Sequence, residues 1–210
     1  MLSDDIRQAI EAATVRLPDM GGQAVSVTGG LILTACHCVK WNGESGMALG
    51  DDIVMEIETR QGERLRVTPL AVKPVADIAV LGALDNQVFS KDALAFEDWC
   101  ERTGGVCVAQ DDYPLFEEHP VYVLTHTGPW ICGAVQLCRD DAPTLALTTD
   151  PPIEGGTSGG PIVDGAGRLV GVVSNGGDDG DGGMCPRPHM ALPVWVSRHV
   201  LGPASRGSAE

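Results

Sequence analysis

The stretch Glu154–Gly160, EGGTSGG, holds the residues best placed to do nucleophilic chemistry. Glycines on both sides leave the Ser158 hydroxyl unhindered and allow a sharp backbone turn. Such a turn can aim several main-chain N–H groups at one point, where a developing negative charge is stabilised. Ser158 is therefore a candidate nucleophile, with Gly156 and Ser158 as candidate N–H donors. The same composition also describes a plain surface turn. A serine nucleophile at neutral pH needs a base, usually histidine, and the imidazole needs an acceptor behind it.

Of the five histidines, His119, His126, His189 and His199 sit near prolines, at a strand end or in a terminal helix, and read as surface or packing residues. His37 differs, because it closes the apolar run LILTACHCV, so that a buried strand would deliver it rigidly to an edge. Asp77 opens the apolar DIAVL, where a carboxylate is expensive to bury without a partner. Each has an ordinary alternative, a satisfied core histidine and a turn or cap aspartate after Pro74. The order His37, Asp77, Ser158, with two of the three on such strands, joins them into one candidate constellation.

The elements that must position these residues are short. Ile6, Ile10, Ala13 and Leu17 recur at helical spacing, and with Ser3 as cap and Pro18 beyond the end they predict an amphipathic helix over Ser3–Leu17. From Gln23 onward, short apolar runs alternate with Gly, Pro and Asp clusters, which predicts strands. The first group is AVSVTG, LILTACHCV, DIVMEIETR, RLRVTPLAV and DIAVLGAL. The second is GVCVAQ, PVYVLTH, WICGAVQLC, TLALTTD, PIVDGAG and RLVGVVSN. The polar stretch Asp85–Arg102, with a short helix near Ala93–Trp99, is expected to link them. ALPVWVSRHVL reads as a last strand running into a short C-terminal helix. The expected fold class is all-β: two small barrels or sandwiches.

Composition narrows the function classes. At 210 residues the chain can bury a sizeable core. A formal charge of −15 repels phosphates and argues against nucleic-acid binding. No apolar stretch approaches the length of a membrane span, and Met1–Leu17 is charged throughout rather than resembling a signal peptide. Seven cysteines leave at least one unpaired if the rest form bridges, which with the missing signal favours a reducing, cytoplasmic setting. Cys100 with Cys107, and Cys132 with Cys138, are the pairs that could bridge hairpins if oxidised. No metal is expected: on a strand, Cys36, His37 and Cys38 would point to alternating faces, and Asp178, Asp179 and Asp181 miss the calcium-loop spacing. No cofactor is expected either.

TACHCV, DIAVL and GTSGGP resemble the three motif blocks of trypsin-like serine proteases with the chymotrypsin fold, and LVGVVSNG resembles that family's strand leading to the substrate cleft. The resemblance covers roughly Gly21 to Leu201. It implies two six-stranded antiparallel β-barrels packed together, with an N-terminal helix and a short C-terminal helix. The implied division is residues 1–20 as an N-terminal arm, 21–99 as the first barrel, 100–201 as the second barrel with the terminal helix, and 202–210 as a disordered tail. It further implies His37 as general base and then acid, Asp77 as its orienter, Ser158 as nucleophile, and the N–H groups of Gly156 and Ser158 as the oxyanion hole. Ser174 matches a serine that supports the aspartate. Ser174, Asn175 and Gly176 would pair with extended substrate, and Pro152 with Ile153 would floor the primary pocket.

Two departures matter. Thr157 stands where secreted, zymogen-activated relatives carry an aspartate that pairs with a new N-terminus, so that activation route is closed. This looks closer to the bacterial high-temperature-requirement branch of the family. Cys38 matches a half-cystine position, but its usual partner position, near Gly22, has no cysteine. The implied activity is serine endopeptidase action on protein or peptide substrates, with an activating partner protein left open. A catalytically latent or gated peptide-binding module is the alternative. An esterase-like α/β-hydrolase fits less well, since that fold places histidine after serine and alternates helices with strands.

Overall fold

The computed structural model describes residues 1–41, 53–110, 113–139, 142–174 and 183–201. The first barrel is closed and antiparallel, in the order β1-β2-β3-β6-β5-β4. Its strands are β1 (Thr14–Arg16), β2 (Gln23–Val27), β3 (Leu31–Thr34), β4 (Met55–Thr59), β5 (Arg64–Lys73) and β6 (Ile78–Gly82). The second half is a six-stranded sheet, also antiparallel, in the order β11-β10-β7-β8-β9-β12. It comprises β7 (Glu118–Leu124), β8 (Trp130–Gln136), β9 (Thr144–Asp150), β10 (Pro161–Val163), β11 (Leu169–Val172) and β12 (Gly183–Pro186). Just past β11, the Ser174 N–H donates to Met184 O of β12 at 3.1 Å, which draws the two edges together. The expected pair of six-stranded units is what the chain builds.

Strands β3 and β6 are buried at every position, and apolar at every position but Thr34. Leu31 and Leu33 of β3, with Ile78 and Val80 of β6, face a core shared with Val163, Leu169 and Val172 of the second sheet. Ile32 of β3, with Ala79 and Leu81 of β6, faces the interior of the first barrel. Side chains alternate across a strand, so a strand with a core on each side needs apolar residues throughout. A third core, including Val121, Ile131, Leu145 and Ile162, fills the second sheet. By contrast, Met55, Ile57 and Thr59 of β4 are buried while Glu56 and Glu58 are half-buried, the expected one-face alternation.

Several expected elements differ in the structure. The N-terminal helix α1 spans Asp4–Ala13, shorter than Ser3–Leu17, although Ser3 caps it by accepting from the Ile6 N–H at 3.4 Å. Thr14 and Val15 are β-branched and enter β1, pairing with β2, so the stretch expected as an arm supplies the first barrel's sixth strand. The short helix expected near Ala93–Trp99 is α2, Ser90–Thr103, which runs through the expected 99/100 boundary. GVCVAQ forms no strand; Val106 and Val108 make single bridges to Val27 and Leu169, stitching the linker to both halves. The second sheet takes its sixth strand from β12 instead. ALPVWVSRHVL holds no strand: its Ala191 ends the short helix α3 (Pro188–Ala191), and after Leu192 and Pro193 the rest is helix α4 (Val194–Leu201). The acidic loop with Asp178, Asp179 and Asp181, and the tail 202–210, lie outside the described residues.

Candidate active site

His37 does not ride on a strand. Strand β3 ends at Thr34, and Cys36–Cys38 form one turn of 3-10 helix with His37 half-exposed between two buried thiols. The strand-alternation argument against a shared metal therefore does not describe this segment. What holds the turn is Asp77. Thr34 pairs with Ala79, and the ladder extends by a Cys36 N–H to Asp77 O bond of 3.2 Å, so the partner strand brings Asp77 beside His37. Asp77 caps a 3-10 turn over Pro74–Ala76 and sits at φ 50°, a conformation more easily adopted by aspartate than by bulkier residues.

From that position its carboxylate grips His37 twice. Oδ1 accepts the His37 main-chain N–H at 3.0 Å, and Oδ2 lies 2.8 Å from Nδ1. With the proton on Nδ1, the imidazole presents Nε2 as its free basic nitrogen. Oδ2 also accepts from Ser174 Oγ at 2.6 Å, a bond reaching from the second sheet to the first barrel. His37, Asp77 and Ser174, with Pro74–Ala76, Thr144 and Met184, line a cleft of about 480 Å³. A larger cavity, about 600 Å³, lies elsewhere on the first barrel between α2 and the β2–β3 turn, with Phe96 and Leu70 on its walls.

Burial raises both flanking thiols, Cys36 and Cys38, to about 11, with the Asp77 charge adding to each. They are neutral packing groups at physiological pH, and among the described residues no His, Cys, Asp and Glu cluster suits a metal ion. All seven thiols are free. Cys38 Sγ lies 2.7 Å from where a Gly22 side chain would begin, so the two positions are adjacent as expected.

Ser158 sits on a turn anchored to the first barrel. Its carbonyl accepts the Gln23 N–H at 2.7 Å, while the Gly159 N–H donates to Val173 O at 2.7 Å and the Gly160 N–H to Thr157 O at 2.8 Å. The preceding turn closes through the Thr157 N–H and Glu154 O at 3.3 Å, with Gly156 at φ +90°, the value a type II turn requires of its third residue. Glycine is needed there for its left-handed conformation. At Gly159, φ +77°, a side chain would also drive into Gln23 O and Thr34 Oγ1. Ser158 O and Cys38 Sγ both line the space beside Gly22, which places the serine turn against the segment that carries His37. No hydrogen bond joins Ser158 Oγ to His37 among the described residues.

Pro152 is exposed and Ile153 half-buried, packed against the second core; Asn175 and Gly176 lie outside the described residues. The residue missed from sequence is His126. It sits under the serine turn, with its N–H 3.4 Å and its Nδ1 3.3 Å from Thr157 Oγ1. Nothing in LTHTG signals this; the only hint was Thr157, which leaves an uncharged group under the turn.

The trypsin-like peptidase domain matches residues 22–172, most of the chain. The chain belongs to the trypsin-like peptidase family. None of the curated proteins matches it in sequence. Solved structures similar to this trypsin-like domain share its fold at low identity. The Mycobacterium tuberculosis protease Rv3671c in its active form aligns with TM-score 0.58 and 16% identity, over 94% of this chain and 84% of that one. A serine endoprotease from Yersinia pestis aligns with TM-score 0.63 and 17% identity, over 96% of this chain and 67% of that one. The HtrA-type protease AlgW with decapeptide aligns with TM-score 0.55 and 19% identity, over 84% of this chain and half of that one. Among the described residues, no helix is long and apolar enough to cross a membrane.

Proposed function

We propose that this chain is a serine endopeptidase that hydrolyses peptide bonds through His37, Asp77 and Ser158. The observation that carries the reading is the double grip of Asp77 on His37, which fixes both the ring's position and its tautomer. A substrate in the cleft excludes water and brings Ser158 Oγ within reach of Nε2, since such bonds are often open in free enzymes. Nε2 takes the hydroxyl proton as Oγ attacks the carbonyl carbon. The oxyanion of the tetrahedral intermediate is met by the Gly156 and Ser158 N–H groups. The imidazolium, stabilised by Asp77, gives its proton to the leaving amine, and the acyl-enzyme forms. Water then repeats the sequence and frees Ser158.

Pro152 and Ile153 offer no floor carboxylate, which favours an uncharged or small residue before the cut. Ser174, with Asn175 and Gly176, pairs with extended substrate backbone. Thr157 and the fold likeness favour the bacterial high-temperature-requirement branch of the family. Seven free thiols favour a reducing, cytoplasmic setting.

The open Ser158–His37 link favours a second reading, a latent form that binds peptide and awaits an activating partner protein. A fluorophosphonate probe separates the two. Labelling that is lost in Ser158→Ala and in His37→Ala supports the peptidase; a wild type that stays unlabelled while binding peptide supports the latent module.

A further inference from the structure

Thr157 is wholly buried, and its hydroxyl is the hinge between the serine turn and the tip of the β7–β8 hairpin. Oγ1 faces two atoms of His126, the main-chain N–H at 3.4 Å and Nδ1 at 3.3 Å. An N–H can only donate, so Oγ1 accepts there; a hydroxyl has a second lone pair and one proton, so Oγ1 can pair with Nδ1 in either ring tautomer. The ring does a second thing. Its Cγ and Cδ2 lie 3.3 Å, and Nε2 3.5 Å, from where a Gly156 side chain would begin, so the imidazole fills the space beside Gly156. The hairpin tip is itself pinned: the Thr125 N–H donates to Pro129 O at 3.1 Å, Thr125 Oγ1 donates to the same oxygen at 2.8 Å, and the Gly128 N–H donates to Thr125 O at 3.1 Å. Gln23 Nε2 ties the hairpin to the first barrel through Leu124 O at 3.2 Å.

We propose that His126 is a positioning residue: its ring and the Thr157 hydroxyl latch the serine turn with Gly156 at positive φ, the conformation that turns the Gly156 and Ser158 N–H groups toward the cleft. The inference rests on the serine-peptidase reading and adds the device that organises its oxyanion hole. A turn over Glu154–Thr157 has two main forms, types I and II, related by a flip of the central Gly155–Gly156 peptide. Gly156 tolerates both, so its sequence alone does not choose. The ring beneath Gly156 and the anchored Thr157 select one. The bonds are long for hydrogen bonds, and they tighten as substrate closes the site.

The test compares His126→Ala, Thr157→Val, Thr157→Ser and the His126→Ala/Thr157→Val double variant on one peptide substrate, with Tm measured for each. The expected result is a kcat lowered roughly 10- to 100-fold in His126→Ala and Thr157→Val, within the range below full loss of an oxyanion donor. KM should change less than about twofold, Thr157→Ser should keep most activity, and the double variant should be no worse than either single one. A His126→Ala enzyme within about twofold of wild-type kcat, a Thr157→Ser as impaired as Thr157→Val, or additive losses would overturn the latch. Thr157→Val is nearly isosteric, so it serves if His126→Ala fails to fold. An unlabelled, inactive wild type would defeat the peptidase reading instead. The latch is then decided by the nitrogen chemical shifts of His126: a single ring tautomer that is lost in Thr157→Val supports it, and shifts that do not change in Thr157→Val refute it.

Discussion

Ser174 Oγ donates to Asp77 Oδ2 at 2.6 Å across the interface between the two halves, on the oxygen that also faces His37 Nδ1. The second half thus contributes to the tautomer of a histidine carried by the first. A hydrogen bond to a charged group contributes about 1.5–3 kcal/mol. Ser174→Ala is therefore expected to lower kcat/KM by roughly 10- to 100-fold, and to lower Tm by roughly 3–12 °C. A wild-type rate in this variant would show that Asp77 needs no support from the second half.

Gly159 is the tightest point of the serine turn. Its left-handed φ strains any side chain, and the space a methyl group would need is filled by Gln23 O and Thr34 Oγ1, themselves bonded at 2.6 Å. Both are core atoms of the first barrel and have little freedom to move. Gly159→Ala should destabilise the fold by at least about 2 kcal/mol, read as a lower Tm or a lower denaturant midpoint. Gly155, with open space around its Cβ position, is the matched control: Gly155→Ala should leave Tm within error.

The pairing of His37 with Asp77 was legible because the two lie just beyond β3 and just before β6, strands buried on both faces. A run such as LILT or IAVLG announces a strand between two cores, and a polar residue at its end announces a delivered side chain. The turns were not legible. The 3-10 turn of Cys36–Cys38 is held by Asp77, forty positions away, and no local pattern encodes that bond. The missing strands share one cause: β1 (TVR) and β12 (GMCP) carry no apolar run of their own and gain order only from the ladders they complete. Likewise Thr157 showed that the usual charge pair was gone, but its replacement, His126, is contributed by a distant hairpin.

Four thiols are buried and raised: Cys36, Cys38 and Cys100 to about 11, and Cys185 to about 12, each chiefly by burial. The unfolded chain releases these protons near pH 8.5, before the folded chain does. Stability contributed by the neutral thiols is therefore fully present below that pH and is lost as pH rises toward 11–12. Tm should fall steadily over that window, and a quadruple Cys→Ala variant, though less stable throughout, should lose less of its Tm across it. Alkylation at pH 8 should be quick at the exposed Cys107, Cys132 and Cys138 and slow at the other four. Quick alkylation of Cys36 or Cys38 would contradict the packing around His37.

Helix α1 is an integral part of the body. Leu2, Ile10 and Ala13 are buried in the core shared by the two halves, and Glu11 Oε1 accepts from Trp130 Nε1 of β8 at 2.8 Å. The helix therefore leads into the first barrel through β1 while its side chain grips the second sheet. Removing residues 1–13 should abolish cooperative unfolding, because it opens a core rather than freeing an appendage. The single bond is a finer probe. Glu11→Ala removes the acceptor and should cost about 1.5–3 kcal/mol, a Tm drop of roughly 3–12 °C for a chain of this size. Glu11→Gln keeps an acceptor and should recover most of that loss. Equal losses in the two variants would mean that the carboxylate charge matters more than the bond to Trp130, as its field at Arg60 would permit.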